Sequence, residues 1–110
     1  ENLIGCGEVV QDSDIKCHDD WLYPGYGKTN EFVHEAMTLA GNLEGMVVDP
    51  VYTAKSFAGG IGLYREGVFT NSQNILYLHT GGMPAIFAYE DEITEQLNDG
   101  LSNKNPNHTP

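Results

Sequence analysis

The sequence predicts an α/β fold, a parallel sheet with flanking helices, that is incomplete by itself. Three observations predict it. Segments with helical spacing alternate with short apolar runs between residues 30 and 85, the order that builds a parallel sheet. The two best strand candidates each run into a turn-forming loop that opens a helix. Only two or three strands can be found, and parallel strands need cover on both faces. Residues 1–29 offer no helix for the second face, and the chain opens on Glu1 instead of Met. A sheet edge is therefore expected upstream of Glu1.

Taken in order, residues 1–29 read as irregular, with Ile15–Cys17 able to form a short strand. Asp19 to Gly27 alternates aromatics with Pro and Gly, which suits an ordered loop. From Asn30 to Leu43, Phe32, Ala36, Leu39, Ala40 and Leu43 recur at helical spacing. Thr29 or Asn30 can cap this helix, Glu31 and Glu35 suit its start, and Gly41 or Gly45 can end it. Met46-Val47-Val48 reads as a short buried strand, closed by Asp49-Pro50 because proline offers no amide hydrogen. A second helix is expected from Tyr52 or Thr53 to Arg65, with Ala54, Phe57, Ala58, Ile61 and Tyr64 as its apolar stripe.

Gly59, Gly60 and Gly62 would each cost that helix about 1 kcal/mol against alanine. They imply either very close packing or an early end. Asn74 to His79 is the clearest strand, and Pro84 suits the first turn of a helix after it. The expected division is 1–90 for the α/β part and 91–110 for a polar, disordered tail, because the chain end is too poor in apolar residues to offset its ordering entropy.

The length of 110 residues suits one small domain. With 16 acidic against 5 basic side chains, the net charge is −11. Such a surface repels phosphate backbones and anionic lipid, which argues against nucleic-acid and membrane partners. Cys6 and Cys17 make neither a disulfide scaffold nor a zinc motif, so free thiols in the cytoplasm are expected. Asn107-His108-Thr109 matches a glycosylation sequon in that polar tail. The histidines show no paired spacing for a metal, and His79, at a strand end, reads as a structural hydrogen-bonder.

Ligands of open α/β sheets bind beyond the carboxyl ends of the strands. Two segments have that location, Asp49 to Thr53 and His79 to Gly82, and each sets a hydroxyl beside a helix start. On spacing alone such loops are often only tight turns.

The residues themselves carry more. Asp49-Pro-Val-Tyr-Thr-Ala-Lys-Ser-Phe-Ala-Gly59, followed by Asn74-Ile-Leu-Tyr-Leu-His-Thr-Gly-Gly-Met-Pro-Ala85, resembles the C-terminal signature of the D-cysteine desulfhydrase and 1-aminocyclopropane-1-carboxylate deaminase family. Tyr23-Pro24-Gly25-Tyr26-Gly27 is similar to another of its segments, and the three motifs stand in the family's order.

The resemblance, over roughly residues 15 to 89, implies a fold-type II (tryptophan synthase beta-like) enzyme of pyridoxal 5'-phosphate (PLP), with residues 1–90 as the C-terminal part of its large domain. Two α/β domains hold the cofactor between them, and the parent is expected to be a homodimer. The family's Schiff-base lysine and Gly-rich phosphate loop lie upstream and have no counterpart in this sequence. Lys55 reads as a helix lysine.

By resemblance, Tyr52 matches the tyrosine that lies against the PLP ring, the alternative being a core tyrosine. Tyr26 matches a tyrosine near the substrate that can orient it or shuttle a proton, the alternative being a loop tyrosine packed on Trp21. Trp21 itself reads as structural. Thr53 and Thr80 match positions held by glutamate and leucine in the deaminase branch. A carboxylate there would keep the pyridine nitrogen charged, whereas a threonine hydroxyl only hydrogen-bonds it, leaving a weaker electron sink.

That weaker sink suits β-elimination of a sulfur leaving group, so the resemblance points to D-cysteine desulfhydrase, a lyase of a small amino acid. Aminocyclopropane-carboxylate deaminase and cysteate sulfo-lyase are the alternatives within the class. Ala54 in place of glycine, Asn42-Leu43-Glu44 in place of Arg-Thr-Glu, and Gly25 in place of an acidic residue depart from the family pattern and bear on the substrate. The chain alone is expected to be inactive. The reading from a different class is a non-catalytic remnant or binding module.

Overall fold

The computed structural model of the chain describes residues 9–69 and 74–102 together with Gly5 and Gly7, and for 99–102 the backbone alone. Three α-helices lie in it: α1 over Glu31–Glu44, α2 over Thr53–Arg65 and α3 over Glu90–Ser102.

Helix α1 begins where one side chain does two jobs. Asn30 is extended, and its side-chain oxygen accepts from the Val33 amide at 2.9 Å, which satisfies one of the orphan donors of the first turn. Its amide nitrogen turns back to the carbonyls of Trp21 at 3.4 Å and Tyr23 at 2.5 Å. The cap of α1 thereby also folds the loop that precedes it. Gly45 closes the helix at φ 62°, a left-handed conformation that suits glycine, and its amide reaches the carbonyls of Ala40 and Gly41.

Helix α2 has no side-chain cap at its boundary residue Tyr52. Asp49, three residues earlier, supplies one instead. Its carboxylate accepts from the amides of Val51 at 2.9 Å, Tyr52 at 2.8 Å and Thr53 at 2.9 Å, and from the Thr53 hydroxyl at 2.6 Å. Thr53 Oγ1 also receives the Asp49 amide at 2.8 Å. A negative charge at the positive end of the helix adds to these bonds.

Asp49 is fully buried. Burial is the largest influence on its acidity and pushes the carboxyl up. The Thr53 hydroxyl and the amides of Thr53, Tyr52 and Val51 together outweigh it and hold the group below its ordinary value.

Helices α1 and α2 pack through small residues. Val33, Ala40, Val48 and Ala54 form one buried cluster, and Trp21, Ala36 and Ala58 a second, with Phe57 against both. The Trp21 indole lies flat on the glycine face of α2. A Cβ on Gly62 would fall inside the indole, and one on Gly59 would just touch it at 3.5 Å. Gly59 and Gly62 therefore mark close packing, not an early end, while Gly60 faces open space. Arg65 forks onto Glu35 with two 2.8 Å bonds and ties the two helices at the surface.

The structure differs from the sequence expectation in two places. No strand forms among the described residues, so the expected parallel sheet is absent there. A strand is held by a ladder of backbone bonds to a neighbour, and no backbone bond joins segments 46–48 and 74–79. They meet through side chains. His79 Nδ1 accepts from the Gly81 amide at 3.2 Å, so its Nε2 is the donor to the Val47 carbonyl at 2.8 Å. The Tyr77 hydroxyl donates to the Thr53 carbonyl at 2.8 Å. Without a ladder Leu76 stays 92% exposed and Leu78 76% exposed, where a covered strand would bury them. Ile15–Cys17 likewise stays outside any element, after a 3₁₀ turn at Asp12–Asp14.

The second difference is in the expected tail, 91–110. A 3₁₀ segment over Met83–Tyr89, with Pro84 in its first turn, leads into α3. Glu90, Asp91 and Glu92 stand in the first turn of α3, where carboxylates complement the helix dipole. Glu92 takes a hydrogen bond from the Thr29 hydroxyl and lies 3.3 Å from His34. Ile93 and Leu97 face Met37 of α1 across a small cavity. These anchors are why a polar sequence is helical here. Residues 103–110, with the sequon and His108, lie outside the described residues, as does Cys6.

Two outcomes follow. Gly41 has open space where its Cβ would be, so Gly41→Ala should stabilise the protein by about 1 kcal/mol. Gly62→Ala should instead destabilise it by roughly 1–3 kcal/mol through overpacking against Trp21. Urea unfolding of both variants reads the opposite signs. For Asp49, a folded-state value below the unfolded one means its stabilisation is present above about pH 4 and is lost as pH falls through the folded value. Asp49→Asn should remove that part of the acid loss. Glu31, held low by the Tyr23 hydroxyl, and Glu35, held low by Arg65, should still contribute theirs. Unfolding free energy measured from pH 7 to pH 3 for both proteins checks this.

Candidate active site

A cavity of about 1070 Å³ opens between the loop around Trp21 to Tyr26, the exposed face of α2 and segment 75–80. Its walls are largely apolar and aromatic, with Tyr26, Tyr52, Phe57, Tyr64, Tyr77 and Thr80 among them. Its size and character are those of a small-molecule site.

Tyr52 stands at the mouth of this cavity because Asp49 fixes the turn in front of α2. Both its neighbours in sequence and its own amide are bonded to that carboxylate. Its ring is half-exposed, 54% open, so it is not the core tyrosine that was the alternative. The Tyr52 hydroxyl is hydrogen-bonded to the Tyr26 hydroxyl, and the two rings meet edge to face with centroids 5.8 Å apart. Tyr26 comes from the loop between Gly25 at φ 145° and Gly27 at φ 66°, conformations open to glycine. It packs on Tyr52, and Trp21 is instead buried under α2.

The Tyr26 hydrogen bond is the main influence holding the Tyr52 phenol above the ordinary tyrosine range, with partial burial and the nearby charge of Asp49 adding to it. At neutral pH the Tyr52 phenol therefore keeps its proton. One hydroxyl of the two donates to the other, and the hydroxyl that accepts can turn its own proton to a bound group.

The two threonines part company. Thr80 is exposed and lines the cavity. Thr53 is buried, and its hydroxyl both donates to Asp49 and accepts from the Asp49 amide. That hydroxyl is fully used in the turn, so the structure brings Tyr26, Tyr52 and Thr80 to one cavity and leaves Thr53 behind its wall.

The side chains present fit part of a PLP molecule. An exposed tyrosine face and a free-standing threonine on an apolar wall suit a flat pyridine ring. A Schiff-base amine is a different matter. Among the described residues, Lys55 is the lysine that lines this cavity, and its Nζ is engaged by the carbonyls of Leu22 at 3.0 Å and Gly25 at 2.6 Å. Lys16 and Lys28 are exposed elsewhere.

Several contributors were not singled out by sequence reasoning. Tyr77 places its hydroxyl at the start of α2, on the Thr53 carbonyl. Tyr89 donates to the Gly27 carbonyl at 2.6 Å and anchors the far side of the Tyr26 loop. The acidic residue three positions before the helix boundary was the available signal for the Asp49 cap. No local pattern marks Tyr89, which lies 62 residues from its partner. Among the described residues no three His, Cys, Asp or Glu side chains gather to hold a metal ion, and no helix is long and apolar enough to cross a membrane.

No family model matches the chain. Individual relatives do. A 1-aminocyclopropane-1-carboxylate deaminase of Rhizobium leguminosarum bv. viciae is 41% identical over 87 residues, which are 79% of this chain and 26% of the relative. A D-cysteine desulfhydrase of Salmonella typhi is 46% identical over 91 residues, 83% of this chain and 28% of the relative. A deaminase of Methylobacterium nodulans is 40% identical over 88 residues, 80% of this chain and 26% of its own length. The chain thus spans about a quarter of the length of the curated relatives it matches. Over about four-fifths of its own length, the chain is similar to D-cysteine desulfhydrases and 1-aminocyclopropane-1-carboxylate deaminases.

Proposed function

We propose that the polypeptide carrying these residues is a PLP-dependent lyase of small amino acids, and that its substrate is D-cysteine, converted with water to pyruvate, hydrogen sulfide and ammonia. The observation that carries this reading is the meeting of Tyr26, Tyr52 and Thr80 on one apolar cavity. When bound, the cofactor supplies the electron sink that such eliminations need. The segments 46–48 and 74–79 are proposed to join a parallel sheet in the complete enzyme, and the protein is proposed to work in the cytoplasm, where the exposed thiol of Cys17 would stay reduced.

Within this reading the chain's own residues have distinct tasks. The exposed Tyr52 ring offers a flat face for the cofactor ring. Thr80 offers a neutral hydroxyl to the pyridine nitrogen, which leaves that nitrogen uncharged more of the time than a carboxylate would. The Tyr26 and Tyr52 hydroxyls hold a proton beside the substrate and can pass it. The apolar walls exclude water and strengthen each of these polar contacts.

The choice of D-cysteine now rests on Thr80, since the Thr53 hydroxyl is spent on Asp49. The deaminase reading is supported by relatives of that name at 40–41% identity. The purified native polypeptide, supplied with PLP, separates the two. D-cysteine should release sulfide and pyruvate, and 1-aminocyclopropane-1-carboxylate should give little 2-oxobutanoate. The reverse result would sink the threonine argument, and sulfite from cysteate would replace the leaving group. In the active protein, Tyr26→Phe should lower kcat by roughly 10²-fold or more if its hydroxyl moves the proton.

A further inference from the structure

Lysine at position 55 sits where a surface helix residue would be ordinary, yet it is only 4% exposed. A buried ammonium is costly unless its charge is compensated. Here the compensation comes from the backbone of the Tyr26 loop, through the carbonyls of Leu22 at 3.0 Å and Gly25 at 2.6 Å. The Gly25 carbonyl immediately precedes Tyr26. Lys55 is the third residue of α2 and Tyr52 is the boundary residue before it, and both line the cavity.

A closed circuit results. It runs from Tyr52 along one turn of α2 to Lys55, from its amine to the Gly25 carbonyl, through Tyr26, and back to the Tyr52 hydroxyl. The Gly25 carbonyl also accepts from the Lys28 amide at 3.4 Å within the loop. Asn30, on the Trp21 and Tyr23 carbonyls, and Tyr89, on the Gly27 carbonyl, hold the ends of the loop. Among the described residues, Lys55 is the side chain of α2 that bonds the carbonyls at its centre.

We infer that Lys55 is a positioning residue whose ammonium clamps the Leu22 and Gly25 carbonyls, so that the Tyr26 hydroxyl is held on the Tyr52 hydroxyl across the mouth of the cavity. This rests on reading the cavity as the substrate site, and it gives a specific task to a lysine that the reaction itself does not use. An apolar side chain here would leave both carbonyls without their charged partner. Hydrogen bonds to charged groups are among the stronger ones.

The test is Lys55→Met in the native polypeptide, with Lys55→Arg as the conservative variant. The readout is the titration of Tyr52, followed by NMR of ring-labelled tyrosine and assigned with Tyr52→Phe. Tyr52 lies near Tyr26, Asp49 and Tyr89, and the clamp acts on the loop that carries Tyr26. Lys55→Met should shift the Tyr52 titration downward toward the ordinary tyrosine range, and the amides of Leu22, Tyr23, Gly25, Tyr26 and Gly27 should exchange about tenfold faster. Lys55→Arg should restore both toward wild type. An unchanged Tyr52 titration in a folded Lys55→Met protein overturns the inference. If that variant does not fold, Lys55→Gln is read with the same two outcomes. Neither readout needs cofactor or substrate, so a failed lyase assay and a failed clamp are told apart.

Discussion

The buried carboxylate of Asp49 is the constraint on which the candidate site depends. It gathers three amides and a hydroxyl at the start of α2, so it fixes the helix start and the direction of Tyr52 together. It also constrains the far side of the chain. Gly82, at φ 91°, passes so close that a Cβ there would collide with the Asp49 carboxylate. The loop that delivers Thr80 therefore lies against the turn that delivers Tyr52, and glycine at position 82 is what allows the approach. A buried charge is tolerated because it accepts four hydrogen bonds, two of them from the Tyr52 and Thr53 amides that would otherwise be orphans of the helix terminus.

Close approach is the second theme. Helices α1 and α2 meet on alanines, and the indole of Trp21 fills the space left by glycine on α2. Interfaces of this kind tolerate little change in volume. They hold the Trp21 loop against α2, and that loop leads directly into Tyr26. The surface ion pair of Arg65 with Glu35 adds little by comparison, because both partners are well exposed.

Much of the local structure was legible in the sequence, because it is set by local chemistry. The sequence narrows the cap of α1 to Thr29 or Asn30 and its stop to Gly41 or Gly45, of which the structure uses Asn30 and Gly45, and the span of α2 follows from propensity and spacing. The order of the three motifs also brought Tyr26, Tyr52 and Thr80 into view before any geometry. The sheet was not legible in the same sense. Alternating apolar residues such as Ile75, Leu76 and Leu78 record a tendency to be covered, but a ladder needs a neighbouring strand, and none lies beside them among the described residues. Helix α3 was missed for the converse reason. Its composition is polar, and what orders it is tertiary, through Glu92 on Thr29 and His34.

Thr53 shows how a position can match a motif while its hydroxyl does something else. A hydroxyl has one proton to give and two lone pairs to offer. At Thr53 the proton goes to the Asp49 carboxylate and one lone pair receives the Asp49 amide, in a site closed to solvent. What remains cannot serve a ring nitrogen in the cavity without undoing the cap that aims Tyr52. A glutamate at this position would not be held in the same way, because two carboxylates at one helix start repel each other. Thr80, by contrast, is exposed and stands on the cavity wall. Under the proposed function, one threonine would serve the turn and the other would meet the pyridine nitrogen, and that division of labour is the physical basis of the proposal for sulfur elimination over ring opening.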